Sequence, residues 1–256
     1  MENKMLYNPV IVKKEVDNTH YYYVDDIFVP SVTRILDETL PMAYGLRRWI
    51  GDVGNDFADE KLERAGARGS AIHDACERLL NGIDVNLKEE FPDSKDKKAI
   101  VAFVNWVAEF KPIVSATEKV VASTLGYAGT LDIACKISPE LIFKLTKFKT
   151  NVEDWIIDIK TSSNVYDSHK LQVVGYKEAV YEMTGISANV GILHLNPRTK
   201  KGFTFHCNLE IGKKAVTIDD FMAVFNLYKV LNGGVIPEPK EVNVYPDVLS
   251  LVEEIK

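Results

Sequence analysis

Asp158, Ile159 and Lys160 close an apolar run, Trp155-Ile156-Ile157, a pattern that predicts a buried strand delivering two charges as it leaves the core. Side chains alternate along a strand, so Asp158 and Lys160 share one face. A neighbouring strand carrying Asp132, in Gly129-Thr130-Leu131-Asp132, would bring a second carboxylate to them. Two carboxylates and an ammonium can hold a hard divalent cation and neutralise a phosphate, which are the requirements of phosphodiester cleavage. The chain's net charge of −6 is compatible with such a centre. It excludes a simple basic coat for nucleic acid, whose affinity comes from lysine and arginine displacing counterions.

The acid-x-Lys spacing alone is weak, because it recurs at Glu2, Asp59, Asp93, Asp96, Glu109, Glu238 and Glu254. Those copies fall in a terminus, in amphipathic helices or beside a proline, where a solvated charged face is the better reading. Only Asp158 follows a β-like apolar run. Taken singly, Asp158 and Lys160 read equally well as a surface ion pair at a strand end. Asp132 alone reads as a turn or edge carboxylate, and His73 alone as a helix-surface or core histidine.

Their order along the chain separates these readings. His73 in Gly69-Ser-Ala-Ile-His73, Glu118, Gly129-Thr-Leu-Asp132, Asp158-Ile-Lys160 and Gln172-Val-Val-Gly-Tyr176 together resemble the PD-(D/E)xK nucleases of the RecB-like exonuclease branch. Pro30-Ser-Val-Thr-Arg-Ile-Leu36 and Leu46-Arg-Arg-Trp49 further resemble the mitochondrial genome-maintenance and phage exonucleases of that branch. The resemblance implies an α/β, three-layer, restriction-endonuclease-like fold: a central mixed β-sheet flanked by helices, here preceded by an N-terminal β-hairpin. It implies that His73, Asp132, Asp158 and the Ile159 carbonyl bind Mg²⁺ or Mn²⁺, with Glu118 an optional further ligand. Lys160 would orient or activate water, and Gln172 and Tyr176, on one helical face with His169, would flank the metal.

By the same resemblance the substrate is DNA, single-stranded or with a free end, and replication or recombination proteins are candidate partners. A structure-selective endonuclease and a catalytically silent nucleic-acid-binding protein remain alternatives. Ser31 and Thr33 could donate to a phosphate at a helix start, or Ser31 could simply cap the helix. Arg34, Arg47, Arg48, Thr161, Ser162 and the Arg198-Thr-Lys-Lys201 turn are further candidates for the backbone, and Tyr44, Trp49 or Tyr127 for stacking on bases. Iron–sulfur members of the branch need four cysteines; this chain has three, Cys76, Cys135 and Cys207, so no cluster is expected.

The elements that must position these groups are legible in outline. The 256 residues, 46% hydrophobic and 27% charged, suit one folded domain. Residues 1–30 alternate as a hairpin with turn chemistry at Asp17-Asn18 and Asp25-Asp26; residues 31–112 are mainly helical. Ile72, Cys76, Leu79 and Leu80 form one helical stripe, and Ile100, Phe103, Val104 and Val107 another, ended by Pro112. Residues 113–210 hold strands at 113–123, 127–137 and 155–160, a helix over 168–183, and strands at 189–195 and 203–209. C-terminal helices are expected over 211–256, the first from Ile218 to Leu231 with Thr217 as cap. The N-terminus carries no apolar leader and no run reaches membrane-spanning length, so a cytoplasmic protein with no membrane partner is expected, in a bacterium or a phage-infected host.

Overall fold

The computed structural model describes residues 6–16, 19–195 and 198–234. It opens with strands β1 (Ile11–Val16), β2 (Thr19–Val24) and β3 (Ile27–Val29). Asp25 and Asp26 both take positive φ and turn β2 into β3, so the expected hairpin extends to a three-stranded antiparallel sheet. The Asp17-Asn18 turn lies outside the described residues.

Helix α1 (Val32–Thr39) starts as predicted: the Ser31 hydroxyl accepts the Arg34 amide at 3.0 Å. α2 (Tyr44–Val53) and the long α3 (Asn55–Leu80) follow, then the single turn α4 (Leu87–Glu90) and α5 (Ser94–Phe110). In α5 the buried face is Ile100, Phe103, Trp106 and Phe110, whereas Val104 is 47% exposed. Val104 therefore does not face inward: the stripe runs through the large aromatics, and Val104 is left outside with Val101.

The central sheet comprises β4 (Ile113–Ser123), β5 (Tyr127–Lys136), β6 (Asp154–Lys160), β7 (Asn189–His194) and β8 (Thr204–His206), in that spatial order. All neighbours are antiparallel except β6 and β7, which are parallel. That pair needs a crossover, supplied by α7 (Asp167–Thr184). α6 (Pro139–Thr146), between β5 and β6, is a helix that apolar periodicity did not reveal; Ser138 caps it and Pro139 occupies its first turn. The strand expected over 203–209 is shorter, and the chain instead forms a small hairpin, β9 (Glu210–Ile211) and β10 (Lys214–Ala215), before α8 (Ile218–Leu231). The remainder of the expected C-terminal helices, residues 235–256, lies outside the described residues.

Both faces of the sheet are covered. Trp155, Ile157 and Ile159 of β6 pack with α3, α5 and α6, while Ile156 packs with α1, α7 and α8. Each fully buried isoleucine contributes about 1.5–3 kcal/mol. A desolvated carboxylate costs several kcal/mol. Asp158, 1% exposed in the same strand, is therefore tolerable only with partners. Among the described residues no helix is long and apolar enough to cross a membrane.

Candidate active site

β5 and β6 pair from Lys136↔Asp154 to Ile133↔Ile157 and then separate. In the gap, the Asp132 Oδ2 atom accepts the Ile159 amide at 2.6 Å, so a side chain takes over from the ladder. On the other side of β6, the Lys160 carbonyl accepts the Leu195 amide at 2.8 Å. Backbone groups of successive strand residues point to opposite sides, so the Ile159 carbonyl faces the gap that holds Asp132.

α3 brings His73 to the same place, its Nδ1 3.5 Å from Asp132 Oδ2. β4 brings Glu118, opposite Asp132 in the register between Thr117↔Ile133 and Lys119↔Leu131. Glu118 has φ 43, the left-handed region that costs a non-glycine residue about 1–2 kcal/mol. Upstream, an extra residue near Ser115 forms a β-bulge between Val114 and Ala116. One ligand atom each from His73, Glu118 and Asp132 lie within 4.8 Å of one another.

Asp158 and Lys160 do share a face: Nζ lies 3.0 Å from Oδ2 and donates to Oδ1 at 3.2 Å. The closer approach, to Oδ2, lacks hydrogen-bond geometry, and this buried oxygen has no hydrogen-bond partner. A buried carboxylate oxygen without a hydrogen bond, beside a His–Glu–Asp cluster, fits a divalent cation. The expected ligand set thus divides in this structure. His73, Asp132 and Glu118 cluster, while Asp158 is engaged with Lys160.

The electrostatics follow from burial and proximity. Burial and the Asp132 charge push the Glu118 carboxyl up to about 7. Burial pushes Asp158 up to about 6 against the pull of the Lys160 ammonium. Burial would also raise Asp132, but His73, Lys160 and the Ile159 amide together hold it below the usual carboxylate range. Burial would discharge His73 and Lys160, yet the two aspartates keep both pKa values raised.

Gln172 and Tyr176 of α7 reach the site from the other face, with the Gln172 amide donating to the Tyr176 hydroxyl at 3.0 Å. Tyr176 packs on Gly129, where a Cβ would lie 2.5 Å from the ring. The glycine of Gly129-Thr-Leu-Asp132 thus admits the tyrosine. His169 is spent locally, its Nδ1 accepting the Tyr166 amide at 3.3 Å.

His73, Glu118, Asp132, Asp158, Lys160, Gln172 and Tyr176, though not His169, line one cleft of about 530 Å³ that also includes Ser31 and Thr33. The parallel bridge between Ser31 and Ala128 fixes the start of α1 against β5, which explains their presence. Lys13, His20 and Tyr22 of the N-terminal sheet line the cleft too and were not singled out from sequence. Tyr22 is anchored by its hydroxyl, 2.8 Å from Thr130 Oγ1. The signal available was their alternation on β1 and β2, whose docking partner no local pattern reveals.

Other candidates do not line this cleft. Arg34 pairs with Glu38 at 2.8 Å, and Arg47, Arg48 and Trp49 lie on α2, which has no buried residue. Ser162 donates to the Asn164 carbonyl at 2.7 Å, and Thr161 lies against Gly69. Tyr127 is not available for base stacking. It is fully buried, donates to the Gly175 carbonyl at 3.0 Å and packs on Phe221 and Phe225.

No family model matches the chain. It is similar to mitochondrial genome maintenance exonuclease 1 of Mus musculus, 29% identical over 167 residues, covering 59% of this chain and 44% of the relative. The protein of the same name from Xenopus tropicalis is 29% identical over 160 residues, covering 59% and 43%. The chain spans less than half the length of these curated relatives, and the similarity supports an exonuclease relationship.

Proposed function

We propose that this chain is a divalent-metal-dependent DNA exonuclease of the PD-(D/E)xK, RecB-like kind, acting at a free single-stranded end in replication, recombination or repair. The observation that carries the reading is Asp132, which joins His73, Glu118 and the Ile159 amide at the point where β5 and β6 part, beside the Asp158–Lys160 pair. The mixed sheet between two helical layers matches what a restriction-endonuclease-like fold requires. The relatives' names favour exonuclease over the alternatives.

His73, Glu118, Asp132, Asp158 and the Ile159 carbonyl would hold Mg²⁺ or Mn²⁺, which when bound supplies a Lewis acid to the phosphoryl oxygens. Lys160 keeps its charge because Asp158 and Asp132 face it. Its role is therefore electrostatic. It stabilises the negative charge that grows as water's oxygen bonds to phosphorus and the bond to the leaving sugar oxygen breaks. The raised pKa makes it a poor proton acceptor at neutral pH. Gln172 and Tyr176 position the scissile group, and the Ser31 and Thr33 hydroxyls offer donors to a neighbouring phosphate.

End-labelled linear and circular single strands incubated with Mg²⁺ or Mn²⁺ test the proposal. Linear strands should be degraded and circles spared. Circles cut at the linear rate would reject exonuclease action, and no cleavage with either ion would reject the nuclease.

A further inference from the structure

A second groove, about 450 Å³, lies between the first turns of α5 and the loop that follows β7, lined among others by Lys97, Lys98, Asn105, Lys200 and Lys201. Gly202 holds its two sides together. It has φ 77, and a Cβ there would lie 2.8 Å from the Cβ of Ala102, so the loop lies directly on α5. Lys201 pairs with Glu109 at 2.5 Å. Lys97, Lys98 and Lys200 make no ion pair among the described residues. Uncompensated cations gathered in a groove are unusual in a chain of net charge −6.

The groove is also linked to the acidic cleft. β6 and β7 run parallel, so Lys160, the last residue of β6, and residues 198–202 that lead into β8 lie at the same carboxyl ends of these two strands. α3 connects the two sites on the helical side. Gly69 lines the cleft, and the adjacent Arg68 pairs with Asp96, next to Lys97.

We propose that this groove binds the sugar–phosphate backbone of the substrate strand beyond the reacting nucleotide, through Lys97, Lys98 and Lys200. Lysines are flexible point charges that hold phosphates without reading bases, which suits a strand passing in any sequence. The assignment extends the proposed function, since it takes the strand in the cleft to be DNA. It adds phosphate contacts beyond those offered inside the acidic cleft, at a place where no carboxylate of the cleft lines the groove.

The test is binding of a labelled single strand of about 20 nucleotides, longer than a single binding fold covers. Affinity would be measured by fluorescence anisotropy across a salt series in calcium buffer, with cleavage followed separately in Mg²⁺ or Mn²⁺. Lys97→Ala/Lys98→Ala/Lys200→Ala should weaken binding at least tenfold. It should also reduce the slope of log affinity against log salt by about 2, three contacts at about 0.7 each. The rate on dinucleotides should fall far less than the rate on the long strand. Lys97→Arg/Lys98→Arg/Lys200→Arg, which keeps the charges, should bind as the wild type does, and an unchanged Tm of the alanine variant excludes a fold defect.

Unchanged affinity and slope in the alanine variant, with normal cleavage by the wild type, would overturn the groove and leave the proposed activity standing. The expected loss of binding, with no cleavage by the wild type under either metal, would reject the activity and leave the groove. Competition by polyglutamate as effective as competition by DNA would overturn the assignment to nucleic acid.

Discussion

The Asp132 carboxylate stands in for a strand. Its Oδ2 accepts the Ile159 amide at 2.6 Å, just past the last β5–β6 ladder pair, Ile133↔Ile157. One side chain therefore keeps a backbone donor satisfied and holds open the gap in which His73 and Glu118 meet it. Structure and proposed chemistry depend on different properties of this group, the acceptor oxygen and the charge.

Asp132→Asn and Asp132→Ala separate those properties. The amide of Asn keeps an acceptor for Ile159 and loses the charge, so the fold should persist while kcat/KM in Mg²⁺ falls by at least about 10²-fold. Alanine leaves the Ile159 amide unpaired and should cost a further 1–3 kcal/mol or so in urea unfolding. Equal stability of the two variants would show that the hydrogen bond is dispensable.

Lys160 shields Asp158, which is 1% exposed against 18% for the lysine side chain. Removing one partner of a buried pair costs about 3–5 kcal/mol, whereas replacing both by neutral groups of similar size is often nearly neutral. Lys160→Met should therefore lower the Tm of the metal-free protein markedly, and Asp158→Asn/Lys160→Met should recover most of the loss. Both should lack metal-dependent cleavage. A double variant no more stable than Lys160→Met would show that the pair is not the source of the cost.

Which parts were legible in the sequence follows from the range of the signals. Asp158 and Lys160 stood out because the Trp155–Ile157 run and strand alternation are local, and Ser31 because capping is decided within three residues. Glu118 could be suspected only by resemblance, since its inward placement depends on a left-handed backbone and the pairing with β5. Lys13, His20 and Tyr22 reach the cleft through docking of the N-terminal sheet across more than a hundred residues, as the Tyr22–Thr130 contact shows. Tyr127 is a stacking candidate by residue type alone, which does not separate a surface ring from a core one; as the first β5 residue it packs into the α7–α8 layer.

Stability without metal should fall as pH rises. Glu118 and Asp158 have folded-state pKa values near 7 and 6, above the ordinary 4.5 and 3.8 that the unfolded chain approaches. The folded protein thus binds more protons between those limits. The stabilisation is fully present below the ordinary carboxylate range and lost as pH passes through 6 and 7. Asp132, shifted down, acts oppositely and only in acid, below that window. Thermal melts in EDTA from pH 5 to 8 should show a declining Tm, and the gain from Mn²⁺ should grow over the same range because cation binding needs the carboxylates deprotonated. A Mn²⁺ gain independent of pH would contradict these shifts.

Gly129 tests whether the Tyr176 ring must lie against β5. A Cβ at residue 129 would sit 2.5 Å from Tyr176 Cε1, and the tyrosine is itself buried between α7 and the sheet. Gly129→Ala should therefore cost about 1–3 kcal/mol through overpacking. It should also displace the Tyr176 hydroxyl from Gln172, lowering kcat more than KM if that pair positions the scissile group. Tyr176→Phe removes only the hydroxyl and keeps the ring, so it should affect kcat with a smaller stability loss, about 1 kcal/mol. In the double variant Gly129→Ala/Tyr176→Leu the smaller side chain relieves the clash, and the stability losses should add to less than their sum. Strict additivity would mean that the close approach of ring and strand is not what selects glycine at residue 129.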